Sequence, residues 1–542
     1  MMSSHVREDL GDLGLGVVIH LEADGAPLGA LVSVGIAMPG NAWTVTPSQH
    51  APVLRDQALA NAVLPVIAAL VPGDTRTRLH ALASRRGFTG ANTLGELRDR
   101  VFLEIDEAIF CPPNGLVLVG WALFDLSLVR AIRVQCGHLA SELRLDRCVR
   151  LDRHDVLESV GVPNGLQELR SGFTAWLPDA LLPDEPSYFE VETERNEIAH
   201  RNMPKPKLRG MQAIRFLLDR ADVRYGDVAP AFDHVFGPAV TALNQDRLRV
   251  PPRADVIAFG PQPPAPVLTV IVTLYGRLDF MEYQFGFMSR HAPDMQVEYI
   301  YVLDDPSRQR EAEVLAASIH QRFAIPLRLV GLQRNLGFGP ANNIGLGLAR
   351  GEFVCFLNSD VFAGSPDWME RLVGHLRADA WLGAVGPLLL FEDDCVQHQG
   401  MVFERLPEFA SWRFPMHVRK GWRRPVETGL QSCLAITGAC MVMRTDIAVQ
   451  LGGFDEAYVI GDFEDSDLCL KLRRRGLSCA VDMDVFLYHL ERQSQAGSEQ
   501  RWRMNLTLCN AWTHERRWGD TLARIERNQA GPQMAGAEEV PA

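Results

Sequence analysis

Polar side chains follow three apolar runs in the second half of the chain, at the point where each run ends. The runs and their polar ends are 267–273 with Thr273 and Tyr275, 297–303 with Asp304 and Asp305, and 353–357 with Asn358, Ser359 and Asp360. Continuous apolar runs of this length are typical of buried parallel strands. Because parallel strands joined by right-handed crossovers point the same way, the polar ends are expected to meet at one edge of a sheet.

The chemistry expected at that edge is the binding of a nucleoside diphosphate. Mg²⁺ and Mn²⁺ prefer oxygen ligands and commonly use one or two carboxylates together with substrate phosphates. Asp360 could hold such an ion, and Asp304 could accept hydrogen bonds from a base or a ribose. A strand followed by an Asx turn is the better explanation of each polar end taken alone, so the prediction depends on their occurrence together.

A segment rich in glycine and asparagine, residues 333–345, lies before the third of these runs. Its glycines would let the backbone approach a ligand closely, and it opens a predicted helix whose N-terminus favours anions. It matches neither the GxGxxG fingerprint nor a P-loop. A glycine-rich loop with an asparagine cap is the alternative interpretation.

Carboxylates cluster at residues 461–467, at the start of a predicted helix that ends in three arginines and a glycine, 473–476. Acidic residues at a helix start and basic residues at its end suit the helix dipole, which explains the charges structurally. The dipole does not explain why so many carboxylates follow the turn at 452–454. The cluster is therefore also a candidate for acid–base chemistry.

Composition restricts the class of protein. The chain has 542 residues, 47% hydrophobic and 22% charged, which predicts a soluble globular protein of two to four domains. A net charge of −13 disfavours nucleic-acid binding, and ten cysteines without a CxxC pair favour a reducing cytoplasm. No signal-peptide pattern is visible, and the apolar run 58–72 is shorter than the roughly 20 residues of a spanning helix. Any membrane contact is expected to be peripheral, at the inner face.

The strands and helices that position these residues are expected in the second half of the chain, and the first half is predicted to fold separately. Short strands are predicted within residues 12–45, a helical pattern over 48–100, and short strands of a β-sandwich over 101–200. Residues 205–248 are again helical. Six prolines in 251–266 predict a linker, and the main domain boundary is placed there. Beyond it, strands alternate with helices, which predicts βαβ units and a parallel sheet.

Residues 266–492 resemble a bacterial member of glycosyltransferase family 2, of the kind that builds cell-surface polysaccharides. The segments that carry the resemblance are, in order, 269–275, 303–305, 334–343, 356–361, 437–442, 452–456 and 464–472. The resemblance implies an α/β A-type glycosyltransferase fold, that of the nucleotide-diphospho-sugar transferases, with a Rossmann-like and mainly parallel sheet. It also implies a nucleotide-sugar donor, a divalent metal (Mn²⁺ or Mg²⁺) and inversion at the anomeric carbon.

The resulting domain prediction has five parts. They are a mixed N-terminal region of unknown role (1–100), a β-sandwich-like accessory domain (101–204), a helical segment with the proline-rich linker (205–265), the glycosyltransferase domain (266–525) and a disordered tail (526–542).

Carried over by position, the resemblance assigns a donor site. The residues expected to bind the nucleotide sugar are Thr273, Tyr275, Asp304, Asn335, Gly337, Asn343, Asn358 and Ser359. Asp304 would contact the base or the ribose. Asp360 would bind the metal as the last residue of the family's Asp-x-Asp motif, whose first position is Asn358 here. Because an amide is a weaker metal ligand than a carboxylate, the affinity and identity of the metal are left open.

The resemblance also assigns a base and a further metal ligand. An inverting transfer needs a base that removes the proton of the acceptor hydroxyl. Asp465 would be that base, with Glu464 beside it, and the helix N-terminus is expected to keep Asp465 ionised at neutral pH. His489 would complete the metal site, although a lone histidine on an apolar strand is as readily a core residue. His398 has a counterpart in the family, near the acceptor.

A basic segment, residues 411–424, holds five arginines or lysines, one histidine and two tryptophans. A solvated surface is the favoured interpretation. The alternatives are a loop over the donor, a site for an acceptor phosphate, and a membrane-surface patch.

These observations predict a cytoplasmic, metal-dependent, inverting hexosyl- or rhamnosyltransferase. It would move a sugar from a nucleotide-sugar donor to a glycan or a lipid-linked acceptor in cell-surface polysaccharide synthesis. A rival hypothesis is a non-catalytic sugar- or nucleotide-binding scaffold, which Asn358 favours and the pair Glu464-Asp465 argues against. A nucleotidyltransferase would need a glycine-rich basic loop near the first strand, where only Gly276-Arg277 occurs.

Overall fold

The structure, a computed structural model, describes residues 2–6, 15–19, 34–38, 41–45, 88, 90–97, 101–124, 127–137, 139–160, 170–182, 185–195, 197–223, 225–491 and 500–530. The chain divides into two compact units, Met1–Leu208 and Arg209–Ala542. Within these ranges no helix is both long and apolar enough to cross a bilayer. Most of the helical pattern expected over 48–100, including the run 58–72, lies outside the described residues.

The N-terminal unit consists mainly of antiparallel strands. They are β1 (Met2–Val6), β2 (Leu15–Ile19), β3 (Val34–Met38), β4 (Asn41–Val45), β5 (Val101–Cys111), β6 (Gly115–Phe124), β7 (Val129–Cys136), β8 (Leu139–Glu142), β9 (Val149–Leu151), β10 (Gly172–Leu177), β11 (Ser187–Thr193) and β12 (Ile198–Asn202). A helix α1 (His154–Val160) and two 3₁₀ turns (Leu94–Leu97 and Leu145–Arg147) accompany them.

Two four-stranded sheets, β5-β6-β10-β9 and β12-β11-β7-β8, make up the main part of this unit. Apolar side chains from both sheets, such as Leu118, Val134 and Phe173, belong to one buried cluster. Two antiparallel sheets around a shared core are the arrangement of a β-sandwich, which the short strands of 101–200 predict.

The second unit alternates strands and helices. Its strands are β13 (Ala254–Phe259), β14 (Leu268–Leu274), β15 (Val297–Leu303), β16 (Leu327–Leu332), β17 (Phe353–Asn358), β18 (Val361–Ala363), β19 (Leu382–Leu390), β20 (Val396–His398), β21 (Met401–Leu406), β22 (Trp412–His417), β23 (Leu430–Cys433), β24 (Cys440–Arg444) and β25 (Ser478–His489). Its helices are α2 (Gly210–Arg220), α3 (Val228–Ala231), α4 (Gly237–Leu248), α5 (Phe280–Arg290), α6 (Gln309–Phe323), α7 (Phe338–Leu348), α8 (Trp368–Ala378), α9 (Thr445–Gln450), α10 (Glu464–Arg474) and α11 (Gln500–Ala530). A π-helical turn (Phe232–Phe236) joins α3 to α4, and 3₁₀ turns lie at Tyr225–Asp227, Pro306–Arg308 and Pro407–Phe409.

The central sheet has the strand order β13-β16-β15-β14-β17-β24-β19-β25-β18. The four consecutive strands β16, β15, β14 and β17 are parallel to one another, and β19 is parallel to β25. The central sheet also contains β13, β24 and β18, which pair antiparallel with β16, β17 and β25 and which the sequence does not predict. In β14, Val270 and Val272 pack into one core cluster and Ile271 into another. Burial on both faces explains the unbroken apolar runs.

The strand register brings the polar ends to one edge, as expected. Leu274 pairs with Leu303, so Asp304 follows directly beside the end of β14. On the other side of β14, Thr273 pairs with Asn358. The carboxyl ends of three neighbouring strands thus line a common edge of the sheet, the place where open α/β sheets bind ligands.

The prediction of a linker at 251–266 is corrected by the structure. Residues Ala254–Phe259 form β13, which pairs antiparallel with β16 at the border of the sheet. The prolines flank this strand and do not interrupt it, so the strand keeps its backbone donors. The compact units divide before α2, and Asn244 of α4 donates to the carbonyl of Glu456 in the same unit (2.8 Å).

The start of the predicted disordered tail, 526–542, is also corrected. Helix α11 continues to Ala530. Trp518 and Leu522 of this helix are buried with Leu470 of α10, which gives α11 a packed apolar face. The remaining residues, 531–542, lie outside the described ranges.

Candidate functional site

Asp304, at the end of β15, holds the glycine-rich segment in place. Its carboxylate accepts hydrogen bonds from the backbone N–H of Leu336 (2.6 Å) and Gly337 (2.8 Å) and from Nδ2 of Asn335 (2.9 Å). Burial raises the pKa of Asp304 to about 7, although these backbone bonds and the nearby Arg247 oppose the shift. The side chains of Asp304 and Asn335, which were predicted to contact the nucleotide, thus form hydrogen bonds that fix the conformation of the loop.

The glycine-rich loop packs against the acidic turn before α10. Gly337 has φ 94°, and a Cβ there would lie 2.7 Å from Cα of Ile460. The N–H of Phe338 donates to the carbonyl of Ile460 (2.5 Å). Asn343 exchanges hydrogen bonds with the backbone N–H (2.9 Å) and C=O (2.8 Å) of Phe454. Gly337 and Asn343, predicted as donor-binding residues, therefore join the loop to the two turns that precede α10.

Asp360 lies in the turn after β17, beside the end of β25. Its Oδ1 is 3.4 Å from Nε2 of His489, which pairs with Val361 across β18 and β25. Both side chains are mostly buried. The structure thus brings together the two residues predicted to bind the metal.

Two buried polar atoms beside this pair have no hydrogen-bond partner among the described residues. They are Oδ1 of Asn358 and Nδ1 of His489. Buried polar atoms are normally satisfied, so an orphaned oxygen and nitrogen beside a carboxylate fit a ligand that supplies positive charge. The described residues hold no cluster of three or more His, Cys, Asp or Glu suited to a metal. A divalent ion here would therefore complete its coordination with water or substrate oxygens.

Buried Gln284, on α5, fixes the turn that carries Asp360. Its Nε2 donates to the carbonyls of Asn358 (2.9 Å) and Val361 (3.1 Å), and its Oε1 accepts from the hydroxyl of Tyr301 (3.0 Å). Sequence reasoning missed Gln284. A polar residue on an otherwise apolar helical face was the available signal.

The other residues of the predicted donor site line the same edge and are more open. Tyr275 is 54% exposed immediately beyond β14. Thr273 and Ser359 are partly exposed at the ends of β14 and β17. The ring of Tyr275 is therefore available for stacking on a planar ligand.

Asp465, at the start of α10, is joined to this edge through residues 437–439. Its Oδ2 accepts from the N–H of Gly438 (3.1 Å) and its Oδ1 from that of Ser466 (2.7 Å). The N–H of Asn358 donates to the carbonyl of Ala439 (2.9 Å), next to Gly438. The candidate base and the polar end of β17 therefore flank the same three-residue segment.

Burial, and not the helix dipole, decides the ionisation of the two carboxylates. It raises the pKa of Asp465 against the opposing hydrogen bonds from Gly438 and Ser466, so the expected effect of the helix N-terminus is outweighed. Burial, together with the charges of Asp465 and Asp462, raises the pKa of Glu464 well above its usual value. Oε2 of Glu464 is buried without a partner among the described residues. Glu464 therefore keeps its proton to a higher pH than an exposed carboxyl group does.

The turn before α10 is strained, and α11 holds it. Ile460, Asp462 and Phe463 have φ of 64°, 83° and 76°. Such left-handed conformations of non-glycine residues cost on the order of 1–3 kcal/mol each and persist only where the surroundings impose them. The fully buried side chain of Asn510 accepts from the N–H of Val459 (2.9 Å) and donates to the carbonyl of Gly461 (2.7 Å). Sequence reasoning missed this amide because it lies about 50 residues away along the chain.

Asp467, counted with the acidic cluster, is an anchor for α11. It is fully buried and accepts from Nε1 of Trp518 (2.7 Å) and from Arg517 (2.9 Å). Lys471 lies 2.9 Å from its other oxygen. Its charge is thus neutralised by structural partners.

His398 supports the segment that binds Asp465. Its Nε2 accepts from the N–H of Gly400 (3.2 Å) and Thr437 (3.3 Å), and its Nδ1 lies 3.0 Å from Nδ1 of His417. Burial lowers the pKa of His398 well below its usual value and that of His417 to about 4. Both imidazoles are therefore neutral, and the ring of His398 fixes the position of the 437–439 segment.

Residues 269–439 match the family described as Glycosyl transferase family 2. This stretch of the chain is therefore similar to glycosyl transferase family 2, and the predicted α/β class, with parallel strands in the C-terminal half, is confirmed. The match ends before Asp465, so it does not include the residue predicted to be the base.

Two relatives align with part of the chain. The O-antigen biosynthesis protein RfbC of Myxococcus xanthus is 29% identical over 241 residues, 42% of this chain and 18% of that protein. The succinoglycan biosynthesis protein ExoO of Rhizobium meliloti is 34% identical over 240 residues, 43% of this chain and 64% of that protein. The chain spans less than two thirds of the length of either relative.

Solved structures align more distantly. GalNAc-T7 with UDP, GalNAc and Mn²⁺ gives a TM-score of 0.38 at 16% identity, covering 50% of this chain and 52% of that one. The mannosyltransferase PcManGT of Pyrobaculum calidifontis in complex with GDP-Man and Mn²⁺ gives 0.30 at 18% identity, covering 61% and 88%.

Proposed function

We propose that the protein is an inverting glycosyltransferase that moves a sugar from a nucleotide-diphosphate donor to a hydroxyl of a glycan or lipid-linked acceptor. One observation carries the proposal: Asp465 and the turn with Asn358 and Asp360 flank the same segment, 437–439. A single displacement at the anomeric carbon needs a base and a diphosphate site close to each other. Here the two would lie on either side of one short segment.

The donor side is formed by the edge of the sheet. Tyr275 offers a ring to the base, and Asp304 fixes the loop that borders the donor. Asp360, His489 and Oδ1 of Asn358 would hold a divalent ion, Mn²⁺ or Mg²⁺, which supplies positive charge for the leaving diphosphate. The orphaned atoms of Asn358 and His489 support this assignment.

The acceptor side is formed by Asp465. The acceptor oxygen attacks the anomeric carbon as its proton passes to Asp465, and the bond from that carbon to the diphosphate oxygen breaks with its electron pair left on the diphosphate. Attack from the face opposite the leaving group gives inversion. The raised pKa of Asp465 makes it a better proton acceptor than a solvent-exposed carboxylate, and the N–H of Gly438 orients it.

The acceptor class is proposed from the relatives. RfbC and ExoO are named for O-antigen and succinoglycan biosynthesis, which supports an acceptor in bacterial polysaccharide assembly. We place the reaction in the cytoplasm at the inner face of the membrane, where such an acceptor could be lipid-linked.

A thermal-shift screen of nucleotide sugars, with and without Mn²⁺, tests the proposal, because a ligand that binds the folded state raises Tm. At least one donor is expected to raise Tm further with Mn²⁺, and Asp360→Asn should abolish that Mn²⁺-dependent part. The control is Asp255→Asn, an exposed carboxylate on the border strand β13. If no donor raises Tm in the presence of Mn²⁺, the proposal fails, whereas a donor that raises Tm and is never hydrolysed favours the scaffold hypothesis.

A further inference from the structure

The loop between β22 and β23, residues 418–428, has an unusual surface. Trp422 is 67% exposed and Val426 is 94% exposed. The loop carries four cations, Arg419, Lys420, Arg423 and Arg424, against one carboxylate, in a chain whose net charge is −13. The sequence alone favours a solvated surface here, but two strongly exposed apolar side chains grouped with four cations on one loop make it a candidate contact surface.

The loop is fixed to the body of the domain through its backbone. The N–H of Val396 donates to the carbonyl of Trp422 (2.7 Å), and the N–H of Gly421 donates to the carbonyl of Val396 (2.7 Å). The guanidinium of Arg424 lies 4.2 Å from the ring centre of Phe486. These contacts fix the backbone of the loop while the side chain of Trp422 remains exposed. Binding of a partner to Trp422 would therefore cost little conformational entropy in the loop.

The loop also borders the candidate site. Nζ of Lys420 is 2.8 Å from a carboxylate oxygen of Glu491. The preceding residue, Leu490, donates its N–H to the carbonyl of Asp360 (3.1 Å). Whatever the loop binds is thereby brought to the side of the sheet edge on which Asp360 lies.

We propose that the 418–428 loop docks the protein on an anionic lipid surface, with Trp422 in the interfacial layer and the arginines at the headgroups. Tryptophan is enriched at membrane–water interfaces, and basic clusters are attracted to anionic leaflets. The charge of the loop fits such a surface, whereas the net negative charge of the whole chain does not. That the acceptor reaches Asp465 from that lipid surface rests on the proposed function; the docking itself does not.

Co-sedimentation of the full chain with vesicles tests the docking. The chain should bind vesicles of phosphatidylcholine mixed with phosphatidylglycerol more tightly than vesicles of phosphatidylcholine alone, and added salt should weaken the binding. Trp422→Ser should lower the partition coefficient about tenfold. Arg423→Ser with Arg424→Ser should lower it roughly 30-fold.

Matched variants separate docking from general surface effects. Trp381→Ser removes a tryptophan that is 71% exposed elsewhere, and Arg249→Ser with Arg253→Ser removes two other surface charges; both should bind vesicles as the unchanged chain does. All variants should keep their Tm and their hydrolysis of a nucleotide sugar in solution. Equal binding to both vesicle types, or undiminished binding of the loop variants, would overturn the docking. If the chain without substitutions hydrolyses no nucleotide sugar, the result would instead count against the proposed function.

Discussion

The two sides of the candidate site are built by different means. The donor side stands on the ends of neighbouring parallel strands, with Thr273 and Asn358 in register. The acceptor side stands on a turn with three non-glycine residues in the left-handed region, held by Asn510 of a distant helix. The difference shows that regular structure suffices to place the strand ends at one edge, whereas the position of Asp465, the proposed base, also depends on contacts with residues remote in sequence. The acceptor side should therefore be the more fragile of the two.

Replacement of Asp465, the proposed base, should have the largest effect. Asp465→Asn keeps the volume of the side chain and loses its ability to take a proton, so kcat for transfer should fall about 10²–10⁴-fold. The Tm gain from donor and Mn²⁺ should persist, since the donor side is untouched. Steady-state kinetics combined with thermal shift measures both. An Asp465→Asn variant with undiminished kcat would remove Asp465 from the mechanism.

Loosening the strained turn should act mainly on turnover. Asn510→Ala leaves Val459 and Gly461 without their partner, and a small displacement of Asp465 should lower kcat about 10–100-fold with little change in donor KM. The control is Asn505→Ala on the same helix, whose amide donates to the carbonyls of Leu218 and Ala221, outside the site.

Both asparagine variants remove a buried amide and should lose comparable stability, about 1–3 kcal/mol. Only Asn510→Ala should change kcat and displace the pH–rate profile of the base. Equal loss of kcat in both variants would mean that α11 contributes only stability.

Disturbing the contact between the two sides should cost stability and donor binding. In Gly337→Ala the new methyl would meet the backbone of Ile460 in a conformation that L-residues avoid, which should destabilise the fold by about 2 kcal/mol or more. The control is Gly347→Ala in α7, the helix that follows Gly337: its new methyl meets no atom within 4 Å outside its own helical turns, and it should stabilise the protein by up to about 1 kcal/mol. Denaturant unfolding measures both, and similar effects of the two variants would refute the packing argument.

The smallest effect concerns pH. The pKa of Asp304 is raised by burial to about 7, so the folded state binds a proton more tightly than the unfolded state does. This contribution to stability is present below the ordinary carboxyl pKa and is lost as the pH rises through about 7. Stability should therefore fall by roughly 1–3 kcal/mol between pH 5 and pH 8. Denaturant unfolding of Asp304→Asn should show a flatter pH dependence, and an unchanged slope would assign the effect to another group.

The same contrast explains what the sequence could predict. The parallel strands and the polar ends at 304 and 358–360 follow from local apolar runs, and chirality then brings them together. Gln284, His398 and Asn510 hold the site through contacts between residues remote in sequence, and the local sequence around each of them does not reveal those partners. The antiparallel strand β13 was hidden because the prolines around it dominate the composition. The ionisation of Asp465 depends on burial that only the folded chain creates.

The border strand β13 has a practical consequence for anyone who isolates the transferase half. A fragment that starts at residue 266 would strip the partner from β16 and leave a row of unpaired backbone groups open to intermolecular pairing. It would also omit α4, whose Arg247 donates to the carbonyl of Leu336 in the glycine-rich loop (3.0 Å). A fragment that begins near residue 209 keeps β13 paired with β16 and keeps Arg247 bonded to the glycine-rich loop.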